Sequence, residues 1–290
     1  MKFAVSYSTP FYGVDPDRIT GFARHAEECG FEALYVPEHV ALYPGAAVGA
    51  MELPPVLPYA DPLVTLAFVA AATERILLGT GVLLLPYHQP VTLAKRLATL
   101  DVLSKGRMRL LTVGVGALPG EAAAVGVDFG SRGRRADEAI TVLRLLWSGG
   151  EEGVAFDGKF FSFTGLCSYP QPLADGGLPV HVGGSSRAAA RRAGRRGDGW
   201  FPGGALAPAE RAAQWDLVRS TARAAGRDPD ALDYTRWGSL EVSPERVAAL
   251  AAEGVTRLVV APTTADPDEQ RAQLSAFAAR FGLRDAVSGQ

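Results

Sequence analysis

The sequence predicts an α/β fold, a (β/α)8 TIM barrel formed by residues 1–290 as a single domain, from three observations. Apolar runs such as ILLGTGVLLL at residues 76–85 do not alternate with polar residues, as expected for strands that are buried on both faces. Each run ends in a turn and is followed by a segment with helical apolar spacing. Eight such pairs fit into 290 residues, a length typical of a TIM barrel. A doubly wound open sheet is the alternative.

The first half of the chain contains four predicted strands, with insertions after the second and the fourth. Residues 40–59 hold four prolines and two glycines and are predicted to be a long irregular loop that forms a lid or a pocket wall. Residues 117–130 form the second insertion. The predicted elements are strands at Phe3–Tyr7 and Phe31–Val36, helices at Asp15–Cys29 and Asp61–Thr73, and a strand–helix–strand unit over Ile76–Gly116.

The second half begins with a predicted helix and a small hairpin that precede strand five. The Asp157-Gly158 pair inside VAFDGKFFSF indicates the hairpin turn. The predicted elements are a helix at 132–147, the hairpin at 154–163, strands at 179–182, 199–201, 234–242 and 257–261, and helices at 186–196, 208–225, 244–252 and 267–281.

Charge and composition favour a small-molecule partner. The 29 basic and 31 acidic side chains give a net charge of −2, which does not indicate binding to nucleic acid or to a membrane surface. No apolar run reaches the roughly 18 residues of a membrane helix, and the amino terminus lacks the apolar region of a signal peptide, so a cytoplasmic protein is expected. Cys29 and Cys167 are expected to be reduced and unpaired, and no residue spacing indicates a metal site.

Of the four histidines, His39 is the best candidate for catalysis, because it follows strand two at the mouth of the barrel. His88 follows strand three, and a role at the substrate is about as plausible there as a structural one. His25, in a helix, and His181, in strand five, are more simply explained as structural residues. The sequence alone places no second acid or base beside His39.

A glycine-rich turn is the best candidate for anion binding. Gly183, Gly184, Ser185 and Ser186 lie between a strand and the amino terminus of a helix, where free N–H groups and the helix dipole attract a phosphate. A plain tight turn is the alternative reading.

Three aromatic side chains near strand ends could stack on a substrate, although packing in the core or at the rim explains each equally well. They are Tyr43, Trp200 and Trp237.

Four stretches together resemble the luciferase-like flavin and deazaflavin oxidoreductases, particularly the branch that depends on coenzyme F420. They span most of the chain in the order expected of that family. The stretches are HAEECGFEALYVPEHV, LGTGVLLLPYHQPVTLAKRLATLDVLSKGRMRLLTVGVG, GVDFGSRGRRADEAITVLRLLW and PVHVGGSSRAAARRAGRRGDGWFP.

The resemblance implies a TIM barrel that holds F420, or FMN in sister groups, with the ring in the barrel mouth. It implies that the phosphate binds the turn of residues 183–186 and that His39 lies over the reactive face of the ring. It also implies a non-prolyl cis peptide in a bulge of strand three, at Thr80-Gly81 or Gly81-Val82, with Gly116 and Ala117 at the end of strand four beside the cofactor.

The chain departs from the resemblance at one position. Where F420-dependent dehydrogenases carry a glutamate after strand four, this sequence has Ala117, and Glu121 lies a helical turn further on. The departure leaves open whether Glu121 supplies the missing acid.

Three functions are therefore considered. The first is an F420-dependent oxidoreductase that reduces an activated C=C or C=N bond, and the second is an FMN-dependent monooxygenase that uses reduced flavin and O2. The third is a cofactor-free barrel lyase or isomerase, or a non-catalytic ligand binder. A homodimer is expected from the resemblance.

Overall fold

A closed barrel of eight parallel strands forms the centre of the molecule, as predicted. The computed structural model describes residues 1–203 and 206–284. Each barrel strand pairs with the next barrel strand along the chain, and the last returns to the first. The barrel strands are β1 (Lys2–Ser6), β2 (Ala33–Val36), β5 (Leu77–Leu84), β6 (Met108–Gly114), β9 (Val180–Gly183), β10 (Gly199–Phe201), β11 (Asp233–Trp237) and β12 (Arg257–Val260).

Helices surround the barrel, and most begin with proline in the first turn, where its missing N–H costs no hydrogen bond. The predicted helices at 244–252 and 267–281 have the observed bounds. Among the described residues the helices are α1 (Thr9–Tyr12), α2 (Pro16–Glu28), α3 (Pro62–Ala72), α4 (Pro90–Leu103), α5 (Pro119–Ala124), α6 (Arg132–Ser148), α7 (Arg187–Arg196), α8 (Pro208–Ala224), α9 (Pro244–Ala252) and α10 (Pro267–Phe281), with a 3₁₀ turn at Leu85–Tyr87.

The predicted insertions and hairpin are present, and the structure corrects their details. The insertion at 40–59 is not wholly irregular, because it contains the antiparallel pair β3 (Ala47–Val48) and β4 (Met51–Glu52). The insertion at 117–130 contains α5. The hairpin consists of β7 (Val154–Asp157) and β8 (Ser162–Leu166).

The hairpin turn and the end of one strand differ from the prediction. The turn of the hairpin is longer than Asp157-Gly158, since Gly158 N donates to Phe161 O at 2.9 Å. The strand predicted at 234–242 ends at Trp237, because Val242 N turns back to Ser239 O.

The barrel is filled from inside by a few large side chains set against small ones. Tyr35 and Phe201 meet edge to face, with ring centroids 5.8 Å apart. A Cβ at Gly79 would lie 3.0 Å from the ring of Tyr35, so glycine at this strand position gives the tyrosine its space. Outside the strands, the apolar faces of the helices form the larger core.

An ionic network closes the amino-terminal end of the barrel. The guanidinium of Arg257 is 2.6 Å from a Glu32 carboxylate oxygen and 3.1 Å from one of Asp233, and its side chain is only 2% exposed. His181 Nε2 lies 3.8 Å from Asp233. A buried charge is tolerated only when it is paired, so we assign these residues a structural role. They lie at the end of the barrel opposite the carboxyl ends of the strands, where TIM barrels bind ligands.

No helix in residues 1–203 or 206–284 combines the length and the apolar character needed to cross a bilayer.

The burial of His181 in this ionic network predicts that the free energy of unfolding depends on pH. Burial lowers the pKa of His181 to about 4, whereas the unfolded chain takes up this proton near the ordinary value of about 6.5. The contribution of His181 to the free energy of unfolding is therefore fully present above pH 6.5 and is lost as the pH drops towards 4. Between pH 7 and pH 5 the loss is about 2 kcal/mol. We expect His181→Gln to remove this part of the slope in denaturant titrations at the two pH values.

A matched control is Val180→Ala in the same buried strand, which should lower stability equally at both pH values. A wild-type stability that does not change between pH 5 and pH 7, or a slope that survives in His181→Gln, would contradict the prediction.

Candidate active site

A cavity of about 710 Å³ opens at the carboxyl ends of the barrel strands. Its wall contains most of the residues that the sequence predicted for a site. These are His39, Gly81, Val82, Gly116, Ala117, Gly183, Gly184, Ser185, Ser186 and Trp237. The wall also includes charged and aromatic residues that were not predicted from the sequence, namely Glu38, Tyr59, Arg132, Arg192 and Phe201.

The back wall of the cavity is a bulge in β5. The Gly81–Val82 peptide is cis, which is the second of the two bonds expected from the resemblance. The side chain of Val82 fills the space in which a Cβ at Gly114 or Gly183 would lie, at 2.5 Å and 2.6 Å from its methyl carbons. Glycine at both positions therefore follows from the close approach of Val82.

Thr80, predicted to bind the cofactor, lies behind the cavity wall and supports it. It is fully buried, and its Oγ1 donates to Thr112 O at 2.8 Å. The hydroxyl thus ties β5 to β6 immediately before the bulge, and Thr80 does not reach the cavity.

A buried carboxylate holds the ring of His39. Glu121 on α5 has no exposed side-chain surface, and its Oε2 lies 3.1 Å from His39 Nδ1. Its Oε1 accepts from the backbone N–H groups of Val40 at 2.6 Å and Ala41 at 3.3 Å. Because the carboxylate accepts from Nδ1–H, the imidazole presents Nε2 as the nitrogen that can accept or donate a proton.

The ring of Tyr59 packs against the same histidine. The two rings meet edge to face with centroids 4.8 Å apart. Burial and the nearby Glu121 carboxylate raise the pKa of Tyr59, so its hydroxyl stays neutral. Tyr59 therefore fixes the second side of the His39 ring.

The neighbouring residue, Glu38, forms a second carboxylate–histidine pair. Its carboxylate accepts from Leu84 N at 2.5 Å, and His88 Nε2 lies 2.9 Å from Oε1. Glu38 lies in the cavity wall, whereas His88 lies behind it and does not line the cavity. The structure thus places His88, predicted as a possible substrate contact, behind Glu38 as its partner and outside the cavity wall.

The turn at residues 183–186 has the geometry of an anion cradle. Gly184 has a φ of +108°, which favours glycine. Ser186 caps α7, since its Oγ accepts from Ala189 N at 3.1 Å, and the first N–H groups of a helix have no intrahelical acceptor. Within the described residues the buried Oγ of Ser185 has no hydrogen-bond partner. The turn can therefore offer a hydroxyl and N–H donors to an anion.

Two arginines add positive charge to this side of the cavity. Arg192 is ion-paired with Asp137 at 2.6 Å. Arg132 packs over the ring of Phe129, and its Nε donates to Gly116 O at 3.2 Å. No carboxylate of the described chain forms an ion pair with Arg132. Arg132 thus leaves a positive charge available to a ligand.

The predicted aromatic contacts have different outcomes. Trp237 is 43% exposed at the cavity wall, beside Phe201. Trp200 is fully buried among the helices, where it stacks on Trp215, so it cannot stack on a substrate. Its indole N–H donates to Gly184 O at 3.1 Å and so supports the anion turn.

Tyr43 also lies outside the cavity wall. Its hydroxyl accepts from Gly120 N at 3.3 Å, and the ring joins a small apolar cluster between the two insertions. Tyr43, predicted as a possible substrate contact, thus packs between the insertions and does not line the cavity.

The sequence contains only weak signals for Glu121, Arg132 and Tyr59, which were not predicted as site residues. Glu121 follows Leu118-Pro119-Gly120, a helix start with an acid in the first turn, which predicts α5 but not a contact with His39. Arg132 opens α6 next to the same mouth. Nothing in the spacing of Tyr59 separates it from other loop tyrosines.

Comparison with known proteins identifies relatives over nearly the whole chain. The model of the family described as luciferase-like monooxygenase matches residues 1–286. An uncharacterized protein of Mycobacterium tuberculosis is 31% identical over 291 residues, which cover 97% of this chain and 99% of that protein. An F420-dependent hydroxymycolic acid dehydrogenase from the same species is 34% identical over 244 residues, or 82% of this chain and 62% of that enzyme.

Solved structures share the fold. Monooxygenase RslO1 from Streptomyces bottropensis superposes with a TM-score of 0.77 at 23% identity, covering 97% of this chain and 98% of that one. An F420-dependent secondary alcohol dehydrogenase, solved with an F420–acetone adduct, gives the same TM-score at 17% identity and covers 98% of both chains. At these identities the likeness establishes the fold alone.

The close approach of Val82 predicts the effect of one substitution. In Gly183→Ala the new Cβ would lie 2.6 Å from a Val82 methyl and 3.3 Å from Val113 O, so the turn or the bulge must move. Overpacking of this kind costs about 1–3 kcal/mol. We expect a lower midpoint in thermal denaturation.

Gly150→Ala is the matched control, because a Cβ there meets nothing within 4 Å. It should leave the midpoint nearly unchanged. Equal midpoints for Gly183→Ala and the wild type would show that the bulge and the turn are not in tight contact.

Proposed function

Because the chain belongs to the luciferase-like monooxygenase family, we propose that it is an F420-dependent oxidoreductase. It transfers a hydride between C5 of the deazaflavin and a small organic substrate, and reduction of an activated C=C or C=N bond is the proposed reaction. One observation carries the proposal: His39, held by a buried carboxylate, shares a cavity with an anion-binding turn. The relative named as an F420-dependent dehydrogenase supports the choice of cofactor.

The residues of the cavity fit the proposed cofactor. The unpartnered Oγ of Ser185 and the start of α7 suit a phosphate, and Arg132 can balance its charge. Glycines at 81, 116, 183 and 184 line the cavity with backbone atoms only, so a flat ring and its chain can contact the main chain there. When bound there, the deazaflavin supplies the carbon that gives or takes the hydride.

His39 supplies the proton in this proposal. Its Nε2 can donate to, or accept from, the substrate atom next to the carbon that exchanges the hydride. Glu121 keeps Nδ1 protonated and stabilises the imidazolium when His39 holds both protons, so it acts as a positioning residue. Tyr59 and the insertion at 40–59 limit the access of water to the ring.

An FMN-dependent monooxygenase is the second candidate. It is favoured by one observation, the match of residues 1–286 to the family described as luciferase-like monooxygenase. The same anion turn would accept the phosphate of FMN. The candidates differ in the ring they bind and in the need for O2.

A homodimer is a further proposal that rests on an exposed apolar face of α3. Val64 is 64% exposed and Phe68 is 47% exposed one turn later. Sedimentation equilibrium should give twice the monomer mass, and a monomer at micromolar concentration would reject the proposal.

The cofactor proposal is tested by fluorescence. We expect titration of the purified protein to change the emission of F420 with saturation at one site per chain, whereas FMN binds at least tenfold more weakly. Tight binding of FMN with no change in F420 emission would reject F420 in favour of the monooxygenase.

The role of His39 is tested by two substitutions. His39→Ala should leave the F420 dissociation constant within about threefold of the wild type and lower turnover about a hundredfold, a usual contribution of a general acid. Glu121→Gln should lower turnover about tenfold or more and change the pH profile of kcat/KM, because the amide can no longer stabilise the imidazolium. Reoxidation of reduced F420 by 2-cyclohexen-1-one gives both readouts.

Glu52→Gln is the matched control, since it makes the same change on exposed β4 of the neighbouring insertion. It should retain wild-type turnover and pH profile. Full activity in His39→Ala, or an unchanged pH profile in Glu121→Gln, would reject the roles given to these residues.

A further inference from the structure

A second cavity of about 570 Å³ adjoins the first, and the proposed function gives it no role. The two share three wall residues, Pro37, Gly81 and Trp237. The second cavity lies at the carboxyl ends of β1 and β12, and Gly81 in its wall belongs to the bulge that forms the back of the first cavity. We name it the side chamber.

The side chamber differs from the first cavity in charge. Glu38, His39, Arg132 and Arg192 all line the first cavity. The described wall of the side chamber contains no Lys, Arg, His, Asp or Glu. Burial raises the pKa of Tyr12 to about 12, so its hydroxyl is neutral as well.

Apart from the indole N–H of Trp237, the polar side-chain groups of the side chamber are hydroxyls. The hydroxyl of Tyr12 already donates to Pro262 O, whereas those of two threonines can donate to a ligand. Thr264 Oγ1 accepts from Asp266 N and Thr263 Oγ1 accepts from Gln273 Nε2, which leaves the hydroxyl proton of each threonine for another acceptor. Ser8 does not cap α1 with its side chain. These groups suit a carbonyl oxygen, but they cannot neutralise a carboxylate or a phosphate.

Aromatic surface forms the rest of the chamber. Phe11 is 66% exposed and Trp237 is 43% exposed, an unusual state for large apolar side chains that face a concave surface. A flat apolar molecule would cover both rings. An anion placed there would lose its hydration with no cation in the wall to replace it.

From this separation of charge we propose that the side chamber selects an uncharged, largely apolar substrate with a carbonyl acceptor, and excludes phosphorylated and carboxylated ones. The inference rests on the proposed function, since it assigns the first cavity to the cofactor. The substrate would lie between Phe11 and Trp237, with its reactive end passing the shared wall at Gly81 into the first cavity, which His39 lines.

The test compares two ligands of similar shape, coumarin and coumarin-3-carboxylate, by calorimetry without cofactor. We expect coumarin to bind the wild-type protein at least tenfold more tightly than the carboxylate. Ala265→Lys adds a cation to the exposed rim of the chamber and should tighten carboxylate binding at least tenfold. Ala224→Lys adds the same charge on α8, far from this wall, and should leave the preference unchanged.

Three results would overturn the proposal: equal or tighter binding of the carboxylate by the wild type, no binding of coumarin at millimolar concentration, or the same gain in Ala224→Lys as in Ala265→Lys. Saturating F420 should leave coumarin affinity within threefold, and competition between the two would assign the chamber to the cofactor instead. A protein that binds no F420 but keeps the coumarin preference would reject the proposed function and retain the chamber's selectivity.

Discussion

The carboxylate of Glu121 joins the three parts of the molecule that form the mouth of the barrel. It belongs to the insertion after β6, it accepts from two backbone N–H groups at the start of the insertion after β2, and it holds the ring of His39. A buried carboxylate is stable only when its oxygens are hydrogen-bonded, so these three partners are required together. The orientation of His39 and the relative position of the two insertions therefore depend on one side chain.

The second constraint lies at the bulge of β5. Val82 occupies the space beside Gly114 and Gly183, which ties the back wall of the cavity to the anion turn. The indole of Trp200 supports the same turn from the helix side. A ligand that bridges the turn and the bulge thus meets a surface whose parts are fixed by packing before binding, which reduces the entropic cost of binding. The charged residues lie on this side, and the side chamber across Gly81 is neutral.

Much of the fold and part of the site could be predicted from the sequence. Unbroken apolar runs with turn signals located the strands, and the cavity lies where the ends of parallel strands meet. The contact between His39 and Glu121 could not be predicted, since the residues are 82 positions apart and lie at two irregular insertions. His88 was placed near the right edge of the barrel, but spacing does not say that its ring turns to Glu38. Trp200 and Phe201 are neighbours in β10, so only one of them can point into the barrel. The structure shows that it is Phe201, which alternation alone does not decide.

The tautomer of the His39 ring reports whether Glu121 orients it. With only four histidines in the chain, ¹⁵N-histidine labelling and the His39→Ala spectrum assign the ring. If Glu121 orients His39, the neutral ring carries its proton on Nδ1, and in Glu121→Gln, where an amide N–H can face Nδ1, the proton moves to Nε2. A wild-type ring protonated on Nε2, unchanged by Glu121→Gln, would contradict the account.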